Sequence, residues 1–381
     1  MSQLAEKIAQ LIQNRGCISF ARFMHLALYC PVYGYYEKEP DNIGRRGDYF
    51  TSVSVGGLFG ELLACQFAGW LEELTAATDP RPGPLALVEA GAHRGELARD
   101  ILNWLRQHRS ALFERTRYWI VEPSARRQQW QQATLAEFGD KVCWVPSLGA
   151  AAQGTQGPEN SAPLRGVIFS NELLDAFPVH RLGWDRTRQE WFEWGVTSEQ
   201  GHFRWTRLEP PRWLLQCCRR QIPVTELEAL KPVLPDGFTV EIAPSATRWW
   251  RCAAQRLGAG KLMTIDYGLT RNELLLPHRT AGTLRAYRQH QLSPDVLADP
   301  GEQDLTAHVN FAALETAGLG VGLQPSQLTT QAQFLTGIAA RTWSGEWEFG
   351  EWTPERRRQF QTLTHPQHLG QAFRVLVQGR G

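Results

Sequence analysis

The chain has 381 residues, 43% of them hydrophobic and 21% charged, enough to bury a large core and unlike a disordered or fibrous composition. Forty basic residues face thirty-nine acidic ones, a formal charge of +1, so no global field draws the chain to nucleic acid or to an anionic membrane. The seven cysteines show no metal-ligand spacing, and their odd number fits reduced thiols better than a disulfide framework. No apolar run approaches membrane-spanning length and the N-terminus lacks a signal-peptide core, so a cytoplasmic location is expected.

In chain order, Leu4, Ile8, Leu11 and Ile12 recur at helical spacing, and a second helix is predicted from Phe20 to Leu28, stopping at Cys30-Pro31. A polar loop with Gly44, Gly47, Asp48, Thr51 and Ser52 then precedes a helix over Leu58 to Leu74. Such a loop offers hydrogen-bonding groups and a helix N-terminus to a ligand, as a lid would; a capped helix start accounts for the same residues.

The centre of the pattern is Leu85-Ala86-Leu87-Val88-Glu89-Ala90-Gly91-Ala92-His93-Arg94-Gly95, followed by an amphipathic run from Leu97 to Leu105. It reads as strand, tight glycine turn and helix, the element at which open α/β sheets bind ligands. A dinucleotide fingerprint wants a third glycine that is missing here. His93 stands inside the turn, and histidine tolerates left-handed backbone angles better than a β-branched residue does. A second strand, Tyr118 to Val121, ends on Glu122, with Pro123 or Ser124 opening a helix. A carboxylate at that strand end can accept ribose hydroxyls, which supports a nucleoside ligand without choosing it.

Val142–Val145 reads as strand three, 149–163 as a surface loop, and Gly166–Ser170 as strand four, ending at Asn171-Glu172 with Asp175 just beyond. An Asn-Glu helix cap is the plain alternative for that pair. Residues 181–207 alternate around Trp184, Trp191, Trp194 and Trp205, the pattern of an inserted antiparallel sheet. A helix over 245–257 leads to strand five, Gly260–Ile265, which ends at Asp266-Tyr267. Asp304 and His308, four apart, are predicted to share a helix face, more as cap and half-buried ring than as an acid/base pair. His365 and His368 lack a third ligand, so no metal site is expected. Ala372–Val377 suits an antiparallel final strand.

The acid two positions before Gly91 is similar to the E/D-x-G-x-G-x-G turn of class I S-adenosylmethionine-dependent methyltransferases, with His93 where the middle glycine usually stands. Further pieces extend the likeness: Gly47-Asp48-Tyr49-Phe50-Thr51-Ser52, Val121-Glu122-Pro123-Ser124, Asn171-Glu172-Leu173-Leu174-Asp175-Ala176, Ile265-Asp266-Tyr267-Gly268, Gly282-Thr283-Leu284-Arg285-Ala286-Tyr287 and Asp304-Leu305-Thr306-Ala307-His308-Val309. In this order they resemble the MidA family of S-adenosylmethionine-dependent methyltransferases, whose mitochondrial members assist assembly of respiratory complex I.

The resemblance implies an α/β fold: a class I methyltransferase Rossmann-like sheet with an N-terminal helical extension and inserted β-rich and helical segments. It places an N-terminal helical or lid region at 1–80 and the methyltransferase domain at 81–381, with insertions at about 179–236 and 269–340. It implies S-adenosylmethionine as cofactor, with Glu89, Gly91, Gly95, Glu122, Ser124, Asn171, Asp48 and Thr51 as its binding residues. Glu172, Asp175 and Asp266 are the expected catalytic carboxylates, with Tyr267 and His308 behind them. The activity it implies is methylation of an arginine in a protein partner such as a complex I subunit. A cofactor-free assembly factor with the same fold and a small-molecule methyltransferase are the alternatives. Two departures fall near the cofactor turn: Ala92-His93 for the usual Pro-Gly, and Val53-Ser54-Val55-Gly56-Gly57 for a more polar run.

Overall fold

Between residues 85 and 171 apolar strands alternate with amphipathic helices, and a chain of that pattern returns each strand parallel to the last with its helix packed on the sheet. The computed structural model describes residues 2–38, 51–76, 85–148, 163–222, 228–276, 279–288, 291–325 and 327–381. Asp48 and its loop, the 79–84 connection and most of the 149–163 segment lie outside the described residues.

The chain runs through α1 (Gln3–Arg15), β1 (Ile18–Ser19), α2 (Phe20–Tyr29), α3 (Leu58–Ala76), β2 (Leu85–Ala90), α4 (Glu96–His108), α5 (Ser110–Arg115), β3 (Thr116–Val121) and α6 (Ala125–Thr134). Then come β4 (Val142–Val145), β5 (Leu164–Asn171), β6 (His180–Asp185), β7 (Glu190–Glu199), β8 (His202–Leu208), α7 (Arg212–Gln221), β9 (Thr239–Ile242) and β10 (Leu257–Leu269). The last strands are β11 (Arg285–Arg288), β12 (Gln291–Leu292), β13 (Asp304–Thr306), β14 (Val309–Asn310), β15 (Gln327–Thr330) and β16 (Phe373–Arg380).

Two compact units result. One comprises Met1–Phe50, Leu174–Arg248 and Gly268–Leu314; the other comprises Thr51–Leu173, Trp249–Tyr267 and Glu315–Gly381. The sequence reading placed its boundary near residue 80, whereas α1 and α2 group with the two inserted stretches and α3 groups with the sheet. Helix α3 is apolar around most of its circumference, which suits a helix buried on several sides; its Phe67 ring lies 4.9 Å from that of Phe169 in β5.

In the sheet-bearing unit the order is β15-β16-β10-β5-β2-β3-β4. Strands β2, β3, β4, β5 and β10 run parallel, and β16 lies antiparallel to β10 over Gly260–Tyr267, as expected of the final strand. Strand order reverses between β2 and β5, the switch point at whose carboxyl side such sheets hold ligands. Strand β2, at the centre of the sheet, is buried at all six positions, as a strand covered on both faces is.

The other unit carries the antiparallel sheet β1-β7-β6-β9 with β8 beside β7, where the tryptophan alternation placed one. Phe20, Phe23 and Met24 of α2 pack with Val196 of β7 in one core, and Trp184 with Leu214 and Phe238 in another. The expected helix through Asp304 and His308 is absent. Asp304–Thr306 forms β13, paired antiparallel with Arg285–Tyr287 of β11, and the following helix starts only at Phe311. The Asn310 carboxamide accepts the Ala313 N–H there, and Tyr36 Oη donates to Asp304 Oδ1 at 2.7 Å. A strand partner twenty residues away overrides local helical spacing. No helix among the described residues is long and apolar enough to cross a membrane.

Candidate functional site

The turn after β2 bends through three left-handed residues: Gly91 (φ 78°), His93 (φ 45°) and Gly95 (φ 85°). Glycine takes this region freely, while His93 needs an external hold on its backbone. That hold is Gln131 of α6, whose Nε2 donates to the His93 carbonyl at 3.0 Å. Burial, with Arg94 and Arg127 nearby, pushes the His93 imidazole down to about 4, so the ring is neutral at physiological pH. Gly95 heads α4 without a side-chain cap, which leaves the first helix amides to a ligand or water.

Glu89 and Glu122 stand at the carboxyl ends of adjacent strands, where β2 and β3 pair Glu89 with Ile120 and Ala90 with Val121. Each is 2% exposed. Glu89 accepts from Tyr118 Oη at 2.7 Å, and its burial raises the carboxyl to about 7 against the lowering effect of that bond. Glu122 Oε1 accepts from Arg127 Nη2 and from the Ser124 N–H, both at 2.8 Å, and Oε2 accepts from Gln131 Nε2 at 3.3 Å. The Ser124 hydroxyl caps α6 through the Arg127 N–H, so the residue shapes the turn below Glu122 through backbone and side chain together.

At the end of β5, Asn171 Nδ2 and the Ser52 N–H both donate to Glu172 Oε1 at 3.1 Å. Glu172 is left-handed (φ 51°), and its own N–H reaches the Ile265 carbonyl; no helix starts here, so the capping alternative does not apply. Asp266, fully buried, accepts the Leu173 N–H on Oδ2 and the Tyr267 N–H on Oδ1, which ties the Glu172 segment to the end of β10. The Thr51 hydroxyl accepts the Ser54 N–H within a local turn. Asp175 falls in the other unit, where its carbonyl accepts the Ala307 N–H, as does His308, whose ring burial lowers to about 4.

The structure therefore gathers Gly91, Gly95, Glu122, Asn171, Glu172 and Asp266 at one edge of one sheet. The sequence does not single out Gln131, Arg127 or Gln331, and it offers Ser52 only as one polar group of the loop before α3. Gln331 is fully buried, accepts from Ser52 Oγ and donates to the Leu363 carbonyl. A signal for the first two was available: α6 has no apolar stripe, and Arg127 and Gln131 are four apart, so a polar row faces inward.

Two features fit S-adenosylmethionine. Asn171 Oδ1 is a buried acceptor with no partner among the described residues, suited to an ammonium donor. Glu122 Oε2 accepts one bond where a carboxylate oxygen takes two, which leaves room for a ribose hydroxyl. A parallel sheet reversed at β2/β5, an antiparallel last strand, a glycine turn at the switch point and a buried acid at the next strand end define a class I S-adenosylmethionine-dependent methyltransferase. Residues 62–329 match the model of a family of S-adenosyl-L-methionine-dependent methyltransferases. The chain belongs to this family, the MidA group.

The chain is similar to the mitochondrial protein arginine methyltransferase NDUFAF7 homolog of Drosophila melanogaster, 27% identical over 98% of this chain and 84% of the relative. It is 28% identical to the mitochondrial protein arginine methyltransferase NDUFAF7 of Mus musculus over 95% of this chain and 81% of that one. Among solved structures, a Burkholderia thailandensis protein bound to S-adenosyl-homocysteine superposes with a TM-score of 0.79 at 27% identity, covering 99% of this chain and 92% of its own.

Proposed function

We propose that this methyltransferase acts on an arginine side chain of a protein partner, with a subunit of respiratory complex I as the first candidate. The observation that carries the reading is the name shared by the two relatives, each a protein arginine methyltransferase aligned over nearly the whole chain. The chemistry at the end of β5 supports it. A guanidinium is charged at neutral pH, so a carboxylate must orient it and draw its charge away from the attacking nitrogen.

Bound S-adenosylmethionine supplies an electrophilic methyl group on a sulfonium. Glu172 is the proposed carboxylate partner of the guanidinium, its rotamer held by the Ser52 N–H and Asn171 Nδ2. As the new N–C bond forms and the S–C bond breaks, the nitrogen loses a proton, and Glu172 is assigned to receive it. Asp266 holds the backbone of Leu173 and Tyr267, and so the segment that bears Glu172. The neighbouring turn, with Glu89, Gly91 and Gly95, is proposed to seat the cofactor together with Glu122, Ser124 and Asn171.

Incubation with methyl-labelled cofactor and arginine-bearing peptides from complex I subunits, followed by mass spectrometry of the product, tests the reading. The expected product carries the methyl on a guanidinium nitrogen. Glu172→Gln is expected to lower transfer by about 100-fold while leaving S-adenosylhomocysteine binding in place. Methyl found only on small-molecule acceptors, or full transfer by the variant, overturns the substrate class or the role of Glu172 respectively.

A further inference from the structure

A histidine in the turn that usually carries glycine has to be held there. The half-buried indole Nε1–H of Trp144 donates to Gln131 Oε1 at 2.9 Å. This fixes which end of the Gln131 amide is which, because indole nitrogen cannot accept. The amide nitrogen then faces the other way and is shared between the His93 carbonyl at 3.0 Å and Glu122 Oε2 at 3.3 Å. Gln131 is fully buried, and its Cα lies 3.6 Å from where a Cβ on Gly95 would stand, so α6 passes directly under the far end of the same turn.

We propose that Gln131 is a positioning residue for the cofactor: one side-chain amide couples the histidine-bearing turn to Glu122 and to strand β4, holding both binding elements in register before the cofactor arrives. The inference rests on the reading that this turn and Glu122 seat the cofactor. Each bond on its own is a modest interaction. Their sharing by one side chain means that its removal releases the left-handed His93 backbone and the free lone-pair side of Glu122 together. A turn built with glycine at position 93 takes the same backbone angles unaided.

The coupling is read by calorimetric titration of the full chain with S-adenosylhomocysteine in four forms: unaltered, Gln131→Leu, His93→Gly and the double variant. Near-ultraviolet circular dichroism and thermal unfolding establish that each is folded. Gln131→Leu is expected to weaken binding about tenfold, and to cost much less in the His93→Gly background, where the turn needs no brace. Should Gln131→Leu fail to fold, Gln131→Met enters the same cycle. Equal losses in both backgrounds, or none in either, overturn the proposal. Glu122→Gln separates this from the cofactor-site reading: if it loses binding while Gln131→Leu does not, only the brace is wrong; if neither loses binding, the site reading fails as well.

Discussion

The ends of β2 and β3 make a controlled comparison, since both carry a glutamate of equal burial on neighbouring parallel strands. At the β3 end the carboxylate meets a guanidinium, a backbone N–H and a buried carboxamide. At the β2 end Glu89 meets one phenol, and burial raises its carboxyl to about 7. Burial takes solvent from both groups; Glu122 receives a guanidinium and two neutral donors in return, Glu89 a single neutral one. One acid is thereby built as an ion-pair acceptor and the other as a carboxyl that keeps its proton to higher pH. The Tyr118 hydroxyl, buried against Glu89, is raised well above its ordinary value and stays a donor.

The largest effect that could break the contrast is at Arg127. Arg127→Leu leaves the Glu122 carboxylate buried with neutral donors alone, and should cost about 3 to 5 kcal/mol in denaturant unfolding. Adding Glu122→Gln in the same chain should recover most of that. A loss below about 1 kcal/mol, the range of an exposed pair, would mean that the two strand ends do not differ in the way described.

The next effect is in pH dependence. The folded chain keeps the Glu89 proton up to about 7, whereas the unfolded chain releases it near 4.5, so this contribution is complete below 4.5 and is lost as pH rises through 7. The span is up to about 3 kcal/mol. Glu89→Gln should flatten it, as followed by chemical denaturation between pH 5 and 8. His93 and His308, both lowered to about 4, act with the opposite sign: they cost stability as pH falls from 6.5 toward 4. A Glu89→Gln protein with an unchanged slope would remove Glu89 from this account.

The smallest effect sharpens the comparison at the residue beyond Ala90. Gly91→Ala places a Cβ 2.9 Å from Leu173 Cδ1, a contact that a flexible side-chain end can relieve, so the cost is that of the positive φ. A loss of about 1 to 2 kcal/mol in thermal or denaturant unfolding is expected. A much larger loss would mean that Leu173 cannot yield.

The elements of the sheet were legible because short apolar runs ending in acids, glycine turns and amphipathic helices follow one another from Leu85 to Glu172 with little interruption. The antiparallel inserted sheet was legible too, through the alternation of polar residues around Trp184, Trp191, Trp194 and Trp205. Asp304 and His308 were not: their spacing suits a helix, yet β11 supplies a strand edge and Tyr36 a donor to Asp304. Thr51 and Ser52 were both legible as polar residues before a helix, but which of them reaches Glu172 was not: it is the Ser52 N–H, while the Thr51 hydroxyl stays in a local turn.

What the sequence by itself determined is the order of strands and helices and the presence of acids at the ends of β2, β3, β5 and β10, because hydrophobic period and turn residues are local properties. Only the tertiary structure decided which of those acids meets a guanidinium, which has its carboxyl raised by burial, and that one glutamine holds His93, Glu122 and Trp144 at once. Those outcomes depend on which distant groups share the volume from which water has been removed, and no local pattern records that.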